Sequence, residues 1–395
     1  MFKDYVSPRN ADVVQPLVDA GAVIFGKTNV PLFAMDTQSF NEVYGQTNNP
    51  WDVTRTPGGS SGGAVAALAA GLTGLEIGSD IGGSIRSPAH FCGVFGHKPS
   101  YKIVPMYGQM PPVGPHASMD YAVTADIAVT GPLARSAKDL ELVMDLVVRP
   151  PRPQRKAYKI ELPPPRKESL KDYKIGLWID DSLFPPSTEV GDCLQNMADQ
   201  LSKAGAQLLD KKPDLDWENT LRVYFNLLQL ATVLGIPPDE FASIAEESKS
   251  LDENDQGSRA GFVRSVTAFH RDWKILDIER SVMRQKWADY FEDIDILLCP
   301  TVRIAAFEHD HTPIEERLTR FNDEDISHIE AVMPWAGLTI NSYLPASIAP
   351  IGQTPGGLPV GVQIVGPYLE DRTCLHMAQI LEETFGRLPP PPGFE

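Results

Sequence analysis

The 395-residue sequence predicts an α/β fold: one domain with a large mixed β-sheet flanked by helices on both faces. Three observations carry that expectation. Short apolar runs of strand type alternate with amphipathic stretches of helical period. A Pro-rich break interrupts the alternation, which then resumes. Hydrophobic residues make up 42% of the chain, enough for an extensive core. A length prior of ~150 residues per domain would give two or three domains, but that prior fails for large single α/β units.

Taken in order, Asn10 is placed to cap a helix over Ala11 to Ala20, and Ala22 to Phe25 reads as a buried strand. Ala64 to Leu72 is an Ala-rich run that reads as a tightly packed helix ending near Gly71, and Gly74 to Asp80 follows as an extended segment. Ile127 to Thr130 is a further strand. Ser136 then caps a helix over Ala137 to Val148, in which Leu140, Val143, Met144 and Val147 share one face. Residues 149–165 carry prolines at 150, 151, 153, 163, 164 and 165 and read as an exposed extended loop. Lys174 to Ile179 resumes as a strand, and Glu189 to Lys203 as an amphipathic helix. Trp217 to about Trp287 is helical in signal, and Ile294 to Leu298 and Leu358 to Val365 read as strands. Asp371 to Phe385 closes the chain as a helix.

Chemistry is concentrated in two glycine-flanked serine loops. Pro57-Gly58-Gly59-Ser60-Ser61-Gly62-Gly63 and Asp80-Ile81-Gly82-Gly83-Ser84-Ile85-Arg86 place Ser60 and Ser84 24 residues apart, with one helix and one strand between them. That connection lets both loops return to one place. Residues without Cβ reach positive φ and let amide N–H groups face a bound oxyanion. Ile81, Gly82, Gly83 and Ser84 form such a row.

These loops, together with Arg86, Pro88, Cys92-Gly93-Val94 and Gly96-His97-Lys98-Pro99-Ser100, resemble the amidase signature family. The likeness extends upstream through residues 20–29 and reappears at residues 131–135 and 357–363. The resemblance implies a Ser, cis-Ser, Lys triad that hydrolyses amides without a metal or organic cofactor. By motif position Ser84 is the acylated nucleophile and Ser60 the bridging serine after a cis Gly59–Ser60 bond. Gly59, Ser61, Asp80 and Arg86 are supports, and Ile81 to Ser84 supply the oxyanion hole. About residues 170–330 correspond to the divergent region that covers the substrate pocket. Trp335-Ala336-Gly337 and Asn341 to Pro345 resemble the segment near the acyl pocket, so Trp335 is either a core aromatic or a substrate contact.

One departure bears on activity. In the family the triad lysine precedes the bridging serine by more than the 59 residues found here, on an apolar strand ending in Lys-Asp. The resemblance therefore implies an N-terminally truncated, impaired amidase. Lys3-Asp4 lacks the apolar run, and Lys27 follows Ala22 to Phe25; they read as a solvated terminal lysine and a strand-end lysine. A mis-called start, a truncated inactive product and a different base all stay open. A serine hydroxyl is a weak nucleophile until a neighbour takes its proton.

Other schemes fit less well. Gly58 to Gly62 formally satisfies G-x-S-x-G, but the elbow needs a buried strand before the serine, and Asn48 to Pro57 is polar with two prolines. No S-x-x-K occurs. His309-Asp310-His311 would put its ligands on alternate sides of a strand with no third ligand, so a solvated loop is the simpler reading. His90 and His97 read as hydrogen-bonded structural residues. The four cysteines (92, 193, 299 and 374) form no C-x-x-C and read as free thiols in a reducing compartment. A net charge of −17 argues against nucleic acid as partner. No apolar run reaches ~18 residues, and neither a membrane partner nor a signal peptide is indicated. The expectation is a cytoplasmic enzyme acting on a small-molecule amide, with homo-oligomers open. Its rivals are an inactive amidase-like binding protein and a glutamyl-tRNA(Gln) amidotransferase A-like subunit.

Overall fold

The computed structural model describes residues 6–109, 125–252, 254, 255 and 257–395. Eight strands form the main sheet: β1 (Leu75–Asp80), β2 (Phe95–Lys98), β3 (Val129–Ala134), β4 (Lys174–Leu177), β5 (Gln207–Leu209), β6 (Ile296–Pro300), β7 (Ala346–Gln353) and β8 (Pro359–Val365). Their spatial order is β1-β3-β2-β7-β8-β6-β4-β5. The β4 strand runs parallel to β5 and β6, and the other pairings are antiparallel, so the sheet is mixed.

The principal helices are α1 (Gly62–Ala69), α2 (Arg86–Cys92), α3 (Ala137–Val147), α4 (Thr188–Lys203), α5 (Trp217–Thr232), α6 (His270–Asp293), α7 (Pro334–Ile340) and α8 (Asp371–Phe385). Strand alternation distributes the core over two faces. On β3, Leu133 packs with Ala64, Val65 and Leu68 of α1 and with Ala89 of α2. Its neighbour Ala134 joins Leu140 and Val143 of α3 and Leu375 and Ala378 of α8. Ser136 caps α3 by accepting from the Asp139 N–H at 3.1 Å.

Most sequence expectations hold within a few residues, and two do not. Residues 11–20 are helical only over Gln15–Asp19, and Asn10 does not cap; its amide reaches Gln15 Oε1, while Pro16 fixes the φ of the first turn. Ala22 to Phe25 forms no strand, and Val23 and Phe25 are 83% and 75% exposed. The reason is pairing: β1 bonds to β3 along one edge, no described strand runs along its other edge, and an apolar run without a ladder partner stays irregular. The strand expected at Ile127 starts at Val129, because Ile127 lies at φ +60° with its N–H held by the Asp126 carboxylate.

Residues 149–165 hold a short 3-10 turn at Arg152–Lys156. Arg152 and Arg155 fasten it to the buried Asp12 carboxylate, at 2.7 and 3.0 Å. All four cysteines are free thiols, three of them buried. Among the described residues no helix is long and apolar enough to cross a membrane.

His97 and Asp371 are part of a buried network rather than a reactive centre. His97 Nδ1 lies 2.8 Å from Ser347 Oγ and its Nε2 3.1 Å from Asp371 Oδ1, while Ser100 Oγ donates to Asp371 Oδ2 at 2.6 Å. Ser347, His97 and Asp371 repeat the order of a hydrolase triad, yet all three are fully buried, so no substrate reaches them. The network joins β2, β7 and the first turn of α8.

His90 is also buried, with Nδ1 against Gly361 and Nε2 3.1 Å from the Ile304 carbonyl. Burial lowers its pKa from 6.5 to about 4. His328, between Thr37 and Thr319, is lowered to about 4 by burial and then by Arg317. A histidine that stays neutral in the fold but charges when unfolded adds stability above its unfolded pKa, and that stability is lost as pH falls through the folded one. Thermal unfolding is therefore expected to show Tm dropping between pH 6.5 and about 4, with a flatter slope in His90→Gln.

Candidate active site

The loop after β1 is organised by one carboxylate. Asp80, fully buried, accepts at Oδ1 from the Gly83 N–H (2.9 Å) and Arg86 Nη2 (2.9 Å). At Oδ2 it accepts from the Ile85 N–H (3.1 Å), the Arg86 N–H (3.4 Å) and Arg86 Nε (3.0 Å). Burial pushes the carboxyl pKa up, but Arg86, Lys98 and the Gly83 N–H together outweigh it and hold the group below its ordinary value. Arg86, also fully buried, donates through Nη1 to the Ala336 carbonyl, Thr339 Oγ1 and Gln363 Oε1.

Residues 81–84 are thereby bent into a tight arch ahead of α2. Gly83 lies at φ +97°, and a Cβ there would stand 2.7 Å from Ser87 Oγ and 2.9 Å from the Ala336 Cβ. Its N–H is held by Asp80, which among the described residues leaves the amides of Ile81, Gly82 and Ser84 as the available donors of the row.

The Ser60 loop meets this arch through the backbone. The Ser61 N–H donates to the Ser84 carbonyl at 3.2 Å, so the two serine loops are neighbours, as their spacing predicts. Gly58 lies at φ +90°, and the Gly59–Ser60 bond is cis. Gly59 is seated so closely that a Cβ would come within 2.5 Å of the Asp36 carbonyl oxygen and the Gln38 N. Ser39 fastens the loop: its hydroxyl lies 3.1 Å from the Gly58 carbonyl and 3.2 Å from that of Ser60, and it accepts from the Gly62 N–H at 3.0 Å. Ser60 is buried and Ser84 half-buried.

Two further residues close over the arch. Tyr224 of α5 donates its hydroxyl to the Ile81 carbonyl at 3.3 Å, and a Cβ on Gly82 would stand 3.2 Å from that hydroxyl and 3.2 Å from Met333 Cε. The helical region within residues 170–330 thus reaches the loop through Tyr224. Trp335 is core: its Nε1 donates to the Phe184 carbonyl at 3.0 Å, and its ring packs on Trp178 and Trp217.

Ser39, Tyr224 and Met333 escaped the sequence reading. Ser39 lies in a polar stretch without periodicity, and Tyr224 looks like any aromatic on an amphipathic helix; only their contacts mark them.

Lysine is differently placed. Lys3 lies outside the described residues, and Lys27 is exposed. Lys98 on β2 is buried, with its pKa lowered to about 7 by burial and by Arg86. Its Nζ donates to the Leu344 and Pro99 carbonyls rather than to either serine. Among the described residues no lysine hydrogen-bonds Ser60 or Ser84. His311 stacks on Phe40, and no group of three metal-ligating side chains occurs among the described residues.

Ser84 thus lies in a glycine-bent arch beside the loop that carries Ser60. A family profile described as Amidase matches residues 1–375. The chain belongs to the amidase signature family. This amidase-signature chain is 30% identical to the glutamyl-tRNA(Gln) amidotransferase A subunit of Saccharolobus solfataricus, over 98% of its own length and 80% of the relative's. It is 32% identical to the protein of the same name from Deinococcus deserti, over 96% and 77%.

Among solved structures, a 6-aminohexanoate cyclic dimer hydrolase in complex with substrate superposes with a TM-score of 0.75 at 26% identity, over 96% of this chain and 79% of that one. The Thermotoga maritima glutamyl-tRNA(Gln) amidotransferase A subunit superposes at 0.78, over 98% and 80%, and at 23% identity it speaks for the fold alone.

Breaking a buried ion pair by removing one charge typically costs ~3–5 kcal/mol. Asp80→Asn is expected to lower the unfolding free energy by about that amount in urea titrations. Gly83→Ala, at φ +97° and in contact with Ala336, is expected to distort the arch. Crystallography of Gly83→Ala would show displacement of residues 81–84.

Proposed function

We propose that this chain cleaves carboxamide C–N bonds by transferring the acyl group to Ser84. The observation that carries the reading is the Ser61 N–H bond to the Ser84 carbonyl, which sets the Ser60 loop against an arch locked by Asp80 and Arg86. Ser84 Oγ adds to the carbonyl carbon, and the oxyanion is met by the amides of Ile81, Gly82 and Ser84. The Ser84 proton passes by way of Ser60 to the leaving nitrogen, which departs as ammonia or amine. Water then cleaves the ester and restores the serine.

The serine proton needs an acceptor before the nitrogen can leave, and a lysine has that role in the family. Among the described residues no lysine touches either serine, and Lys3 lies outside them.

A second reading is supported by the relatives at 30–32% identity over nearly the whole chain, which carry the name of an amidotransferase subunit. On that reading glutamine is the ammonia donor and partner proteins complete the reaction. The net charge of −17 argues against a nucleic-acid contact on this chain itself.

Ammonia release, measured in parallel with glutamine and with simple aliphatic and aryl amides, separates the readings. Release from simple amides that disappears in Ser84→Ala is the expected outcome. Release from glutamine alone selects the amidotransferase reading. Equal background in wild type and Ser84→Ala with every donor would leave an amidase-like binding protein.

A further inference from the structure

Tyr224 has one polar task. Its side chain is fully buried, and its ring is clamped beside Gly337, where a Cβ would stand 2.6 Å from Cδ1. Its hydroxyl has a single hydrogen bond among the described residues, donated to the Ile81 carbonyl at 3.3 Å. Burial pushes the phenol pKa far above its ordinary value, so the hydroxyl stays a donor.

The Ile81 carbonyl and the Gly82 N–H belong to one peptide plane, and in a trans peptide they point in opposite directions. Holding the carbonyl toward α5 turns the Gly82 N–H away from α5. The next plane is fixed from the other side, since the Gly83 N–H is bound to Asp80. The Ile81–Gly82 plane turns about ψ of Ile81 and φ of Gly82, and Gly82 has no Cβ to resist the rotation on its side.

We infer that Tyr224 is a positioning residue for the oxyanion hole: by holding the Ile81 carbonyl it presents the Gly82 N–H to the developing charge. The inference rests on the acyl-transfer reading and assigns the orientation of one donor to a helix outside both serine loops. Removing an oxyanion donor outright typically costs ~10²–10³ in rate, and freeing one to rotate costs less.

Tyr224→Phe keeps the ring and deletes the hydroxyl. The test compares binding of phenylboronic acid, whose boron accepts Ser84 Oγ and places a tetrahedral oxygen in the oxyanion site, with binding of benzamide, a planar ground-state ligand. The expected result is about a 10- to 100-fold weaker boronate. Benzamide affinity should stay within about twofold, and Tm should stay within about 3 °C of wild type. In protein labelled with 13C-isoleucine and 15N-glycine, the Ile81 carbonyl signal should also move.

An unchanged boronate affinity overturns the inference. So does parallel weakening of boronate and benzamide, or failure of the variant to fold, each of which reduces Tyr224 to packing. Equal boronate binding by wild type and Ser84→Ala is a different result: it removes Ser84 as nucleophile and takes the acyl-transfer reading down first.

Discussion

The buried pair between Asp80 and Arg86 is the contact on which the rest of the site depends. Two charges withdrawn from water are tolerable only when their hydrogen-bonding groups are occupied. Here one carboxylate gathers the Gly83, Ile85 and Arg86 amides, and the guanidinium crosses to Ala336, Thr339 and Gln363. The end of β1, the first turn of α2, the α7 helix and the middle of β8 are thus held by one pair. The arch between them has little freedom left, because its inner amide is taken and its outer carbonyl is held by Tyr224.

Preorganisation of this kind is what oxyanion stabilisation requires, since donors that must reorient during the reaction lose much of their effect. The glycines serve the same end from the opposite direction. Gly83 takes a φ that a side chain rarely adopts, and Gly59 sits where the 36–38 backbone would collide with a Cβ. Rigid polar contacts and the absence of side chains together place Ser84 beside the Ser60 loop.

Much of this was legible in the sequence, and the reasons are local. Ser136 and its following apolar positions announce α3 because capping and period act over a few residues. The two Gly-Ser loops announce themselves because glycine beside a nucleophile has a backbone meaning. Asp80 and Arg86 could be named from their place in the motif. Ala22 to Phe25 misled because four apolar residues look like a strand whether or not a partner lies alongside, and pairing is a long-range property. Ser39 and Tyr224 were invisible for the same reason: they act across 21 and 143 residues of chain. The apparent Ser347–His97–Asp371 triad shows the converse, in that correct residue types in correct order do nothing without access.

The central claim is that Ser84, and not Ser60, is the nucleophile held in this arch. It is tested most directly by treating the folded protein with a fluorophosphonate, which phosphonylates an activated serine, and mapping the adduct by peptide mass spectrometry. The account predicts a single adduct on Ser84 that is lost when the protein is unfolded first. An adduct on Ser60, or none on either serine in the folded protein, would contradict it.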